Sequence, residues 1–169
     1  MLQRIHRNLD ILLLNVLFLG VGILLFYWSN KIEVLVATIA TGISLSIAYI
    51  QSRIQDDKIF KELFTEFNHR YDSYFRQELE VIVDRHNSIT EPLVDEDREI
   101  IIKYFNLCAE EYLWKSKHRI PQKVWVAWEK GMIYYFNLKV FNEVLMEEKE
   151  AWGSYYGLFN HLRGKVKNL

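Results

Sequence analysis

The chain holds one cysteine, two prolines and seven glycines in 169 residues. A lone thiol, Cys108, excludes an internal disulfide framework and any multi-cysteine zinc or iron–sulfur site, and fits a reducing compartment. So little Pro and Gly disfavours a turn-rich sheet and favours helices. No period-two alternation is long enough for a strand. An excess of charge is missing too. The formal net charge of −1 supplies no global field toward nucleic acid or anionic lipid.

Catalytic patterns are equally scarce. His6, His69, His86, His118 and His161 lie on separate segments, without the His-x-x-x-His spacing of a metal-binding face. His69 and Asp72 stand one turn apart and read as a solvated pair. Glu110 and Glu111 are adjacent, so on a helix they point apart and form no acid/base pair. There is no Gly-rich phosphate loop. Cys108 falls on the apolar side of its helix and reads as core. These absences argue against an enzyme, and no cofactor, metal ion or small-molecule substrate is expected.

Uninterrupted apolar sequence is what the chain has, and it is concentrated in the first third. Ile11 to Trp28, ILLLNVLFLGVGILLFYW, carries no charge. At 1.5 Å per residue it is about 27 Å long, close to a bilayer core. Asn15 is its one strongly polar side chain, and Tyr27 and Trp28 stand where an interfacial aromatic belt forms. Val34 to Ile50, VLVATIATGISLSIAYI, is a second uncharged run. SNKIE, Ser29 to Glu33, joins them in a tight antiparallel hairpin. A signal peptide is disfavoured, because the first run is too long and SNKIE has no small-x-small cleavage pattern. The fold expected is all-α: a transmembrane hairpin over residues 1–53, with spans at about 11–28 and 34–50, then a cytoplasmic helical domain over residues 54–169. Arg4 and Arg7 precede the first span, and Arg53, Lys58 and Lys61 follow the second. The loop has only Lys31, offset by Glu33, so both termini are expected in the cytoplasm.

The second span is rich in small residues. Ala37, Thr41, Ser44 and Ala48 share one helix face, and Thr38, Gly42 and Ser46 form a neighbouring row. Small faces permit close helix approach in lipid, where hydrophobicity gives no association force. Ala37, Thr41, Gly42, Ser44 and Ala48 are therefore candidate helix–helix contacts. Packing on the first span and assembly between chains both fit this pattern.

Beyond Ile50 the helical pattern continues. Phe60, Leu63, Phe64, Phe67, Tyr71, Phe75, Leu79 and Ile82 recur at three- and four-residue steps, with charge on the other face. No Gly or Pro separates this helix from the second span, so a nearly continuous helix is expected, able to transmit tilt or rotation. RHNSITEPL, Arg85 to Leu93, breaks it at Pro92, and Asp95 is the expected N-cap of a helix to about Lys115. Pro121 opens a short helix expected to meet Gly131. One or two helices follow around Asn137, and a last helix is interrupted by Gly153 and Gly157. Trp114, Trp125, Trp128 and Trp152 cluster here, as a packed core or an aromatic pocket. Ala151 to Leu169 contains no acid and holds Arg163, Lys165 and Lys167. That tail either caps a helix end or meets RNA, anionic lipid or an acidic partner. Trp125, Trp128, Arg163, Lys165 and Lys167 are thus candidate partner-binding residues.

The stretch IIKYFNLCAEEYLWKSKHRIPQKVWVAWEKGM, Ile101 to Met132, resembles a helical domain found in small bacterial proteins. Trp152 and Tyr155-Tyr156-Gly157-Leu158-Phe159 resemble its closing helix. Some such proteins carry two N-terminal spans, among them the two-span effector of a retron antiphage defence system. The resemblance brings no catalytic motif. It implies a toxic effector of the bacterial inner membrane, and the two small-residue rows add the expectation of an oligomer in the bilayer. A cytoplasmic partner, in a retron the reverse transcriptase with its RNA–DNA product, would restrain or trigger it. A membrane-tethered adaptor that recruits a partner without permeabilising the bilayer is the other reading.

Overall fold

The computed structural model describes residues 2–88, 93–167 and 169, and for residues 2–8, 87, 88 and 152 it describes the backbone alone. The side chains of Arg4, Arg7 and Trp152 and the break at Pro92 therefore lie outside the described residues. Among the described residues the chain is helical, with no β-strand and one isolated bridge between Arg163 and Val166. It divides into two compact units, Met1–Lys58 and Ile59–Leu169.

The first unit is a helical hairpin. Helix α1 spans Leu2–Ser29, and α2 starts at Ile32 and runs unbroken to Arg70. The expected five-residue connection shrinks to Asn30 and Lys31. Ser29 stays helical because its hydroxyl donates to the Leu25 carbonyl. Asn30 then turns left-handed at φ 54°, with its N–H bonding the Phe26 carbonyl. Asn is among the few L-residues that enter this region readily, which suits it to end a helix. Both helices are long and apolar enough to cross a membrane, and only 6% of the first apolar window and 11% of the second are buried. That separates them from the core helices of a soluble protein, which bury one apolar stripe. Leu12, Leu17, Leu24, Tyr27, Trp28 and Val36 are all more than half exposed.

The second unit wraps its elements around one central helix. The end of α2 passes into a π-helical turn, Tyr71–Phe75, and then α3, Arg76–Ser88. The Arg76 N–H bonds the Tyr71 carbonyl, the five-residue reach of a π-turn. The steps Phe67–Tyr71–Phe75–Leu79 are all fours, and each drifts about 40° around an α-helix. The wider turn absorbs that drift and keeps Phe67, Phe75, Leu79 and Ile82 buried. Helix α4, Asp95–Ser116, packs against α3, α6 and α7. It is buried on several sides, through Ile101, Tyr104, Phe105, Leu107, Cys108 and Ala109. Each such side chain contributes on the order of 1–3 kcal/mol.

Three local expectations are corrected. Val94, with extended backbone, precedes the helix, and Asp95 is its first helical residue. Asp95, Glu96 and Asp97 thus all stand in the first turn, where the positive end of the helix favours acids. Arg85 reaches across the break to buried Asp97 at 2.6 Å. Helix α5, Gln122–Phe136, continues through Gly131, because Met132, Tyr135 and Phe136 beyond it are buried and their packing outweighs glycine's cost of ~1 kcal/mol. It ends at Asn137, whose side chain bonds the Ile133 carbonyl. After α6, Lys139–Glu147, the chain forms a 3-10 segment, Glu148–Tyr155, and a short α7, Leu158–Leu162, rather than one last helix. Left-handed Tyr156 and Gly157 separate the two.

Candidate functional site

In the hairpin the two small-residue rows part company. A Cβ on Gly42 would stand 2.7 Å from the Phe18 Cβ, so glycine is what admits Phe18. One on Gly22 would meet Leu35 at 3.1 Å. Asn15 donates to the Ser46 hydroxyl and to its own Ile11 carbonyl, both at 2.8 Å, and Ser46 donates back to Gly42. Asn15, the polar outlier of the first span, is therefore satisfied inside the chain. Thr38, Gly42 and Ser46 form the packed row. Ala37, Thr41, Ser44 and Ala48 lie on exposed surface. The hydroxyls of Thr41 and Ser44 bond the carbonyls of Ala37 and Ala40, which leaves no unmet donor on that face.

In the second unit the two tryptophans singled out by sequence separate as well. Trp125 is 1% exposed, with ring contacts to Tyr112 and His161. Trp128 is half-buried, stacked on Phe64 and edge-on to Phe67. It borders a cavity of about 280 Å³ between the π-turn, α4 and α5. The basic tail is partly spent. Lys165 donates to Glu129 at 2.9 Å, and the His161 ring stands 2.6 Å from the same oxygen. Burial pushes the Glu129 carboxyl up, but these two bonds outweigh it and hold the group below its ordinary range. The Lys167 N–H donates to Asn137, and Asn142 donates to the Lys167 carbonyl. The side chains of Arg163 and Lys167 are exposed.

Glu110 and Glu111 do point apart, and their fates differ. Glu110 pairs with Arg70 at 2.5 Å. Glu111 is buried and borders the cavity. Burial pushes its carboxyl up to about 8, against the pull of Arg70 and with a further push from Glu110. Its signal in the sequence was position: Tyr104, Cys108 and Glu111 stand at four- and three-residue steps on one stripe. Burial also pushes the Cys108 thiol well up, as for a core thiol. Among the described residues no three metal-ligating side chains converge.

No protein-family model, curated protein or solved structure matches the chain. Fold and geometry define a class: an all-α chain with two apolar helices long enough to cross a membrane, and an aromatic-rich helical unit after them.

Proposed function

We propose that the chain is a membrane-embedded effector of retron-type antiphage defence. Its helical domain is restrained by a cytoplasmic partner, a reverse transcriptase with its RNA–DNA product. Release lets the hairpins assemble and perturb the bacterial inner membrane. The proposal gives no residue a catalytic role. The observation that carries it is the division of small rows on α2. Gly42 and Ser46 are used against α1, while Ala37, Thr41, Ser44 and Ala48 remain exposed on an apolar hairpin. In lipid such a face gains by meeting another helix through close backbone approach.

Thr41→Leu combined with Ala48→Leu tests this. Both leucines suit the bilayer and sit away from Phe18. The expected outcome is normal insertion, loss of inter-chain cross-linking and loss of growth arrest. Wild-type cross-linking together with wild-type arrest would remove the assembly face.

A further inference from the structure

The cavity beside Trp128 has features that packing alone does not require. Glu111 is 8% exposed and faces it. Among the described residues its carboxyl has no hydrogen-bond or ion-pair partner, since Arg70 is engaged by Glu110. Its oxygens are open to the cavity rather than sealed in protein, so a ligand held there can meet them. The walls carry ring surface from Phe67, Tyr71, Tyr104, Trp128 and Tyr135. Asp72, exposed and 3.7 Å from the Arg76 guanidinium, adds a second carboxyl, and no Lys, Arg or His lines the space among the described residues. The π-turn places Tyr71 and Asp72 in this wall, and such turns recur at functional sites. Gly131 lines the mouth, where an added Cβ would meet nothing within 4 Å.

We infer that this cavity binds a small organic cation, a primary or quaternary ammonium ion of a few carbons, with Glu111 meeting its charge and the aromatic rings its carbon skeleton. Ring faces attract cations through their quadrupole, most strongly where water is excluded. Among the described residues the lining holds no Lys, Arg or His, so an anion would find no counter-charge in the wall itself. The volume, about 280 Å³, lies at the small end for ligand pockets. The inference concerns the second unit alone and does not depend on the membrane reading.

Binding also moves a proton. The unliganded carboxyl titrates near 8, so at neutral pH a cation must displace its proton. Affinity for a non-titrating cation therefore rises about tenfold per pH unit below that value and levels off above it. Arg70 on α2, Asp72 and Tyr71 on the π-turn, Glu110, Tyr104 and Cys108 on α4, and Tyr135 on α5 also face this region. Glu111→Gln isolates the contribution of the one carboxyl.

The test is calorimetric titration of the full chain, purified in a maltoside detergent, with choline and benzylamine. Their neutral counterparts, 3,3-dimethylbutan-1-ol and benzyl alcohol, are run alongside. Expected is saturable binding of the ammonium ions, roughly tenfold or more tighter than of the alcohols. Choline binding should tighten from pH 6 to 8. Glu111→Gln should reduce choline to the affinity of its alcohol and flatten the pH profile. Gly131→Leu should close the mouth to every probe. Folded wild-type protein that binds neither ammonium ion between pH 6 and 9, or binds the alcohols equally well, would overturn the inference. So would undiminished choline binding by Glu111→Gln.

Discussion

Glu111 stands where an apolar residue is expected, on the stripe that also holds Tyr104 and Cys108. Its carboxyl titrates near 8 in the fold against an ordinary 4.5. Between those values the native state holds a proton that the unfolded chain has released. Stability is therefore greatest below about 4.5 and falls as pH rises, by ~1.4 kcal/mol for each pH unit between the two values, and the loss is complete above about 8. Glu111→Gln keeps the shape and removes the titration. The variant should gain on the wild type by a few kcal/mol between pH 5 and 8, read as the difference in chemical-denaturation midpoints. A difference that stays constant with pH would contradict the raised titration. The tryptophans should also behave differently. Trp125→Ala should cost about 3–5 kcal/mol, as full core truncations do, while Trp128→Ala should cost about half as much because one side of the ring borders open space. Equal losses in the two unfolding curves would contradict that placement. The core role of Cys108 was legible from its stripe. The burial of Glu111 was not, because a glutamate in an amphipathic pattern reads as solvated until the central position of α4 is known.

Helices and their apolar faces followed from spacing, but their ends and irregularities did not. The continuation of α2 to Arg70 was readable from the absence of Gly and Pro. The π-turn at Tyr71–Phe75 was encoded in three successive four-residue steps, a pattern that looks α-helical unless its drift is added up. Gly131 misled in the other direction, since tertiary burial of Met132 and Phe136 overrides a local breaker. In the hairpin, two small rows were visible, and only packing shows which one α1 occupies. This sets a prediction for the element as a whole. Gly42→Leu should force Phe18 away and open the hairpin, because the new Cβ falls 2.7 Å from the Phe18 Cβ. Asn15→Leu should weaken it less, by about 1 kcal/mol or below for a lost interhelical hydrogen bond. Cross-linking between cysteines introduced on α1 and α2 would report both. A Gly42→Leu hairpin that cross-links like wild type would contradict this packing.

Across the whole molecule, the effector reading places the hairpin in the inner membrane with both ends in the cytoplasm. Positive charge flanks the hairpin at its open end, while the turn holds Lys31 beside Glu33. Reporter fusions at each terminus should be active only as cytoplasmic reporters, and a periplasmic C-terminus would remove the cytoplasmic partner as well. The all-α class was readable from composition and hydropathy. A partner surface was not, since no catalytic or ligand motif marks one and Lys165 of the candidate basic surface is engaged by Glu129. The central claim is that the unrestrained chain breaches the membrane. Membrane potential, followed with a voltage-sensitive dye in cells induced to make the chain without its partner, tests it most directly. The account predicts rapid depolarisation by the wild type and none by Thr41→Leu with Ala48→Leu at equal membrane abundance. Cells that stay polarised while the wild-type chain accumulates in the membrane would contradict the account and leave a tethered adaptor in its place.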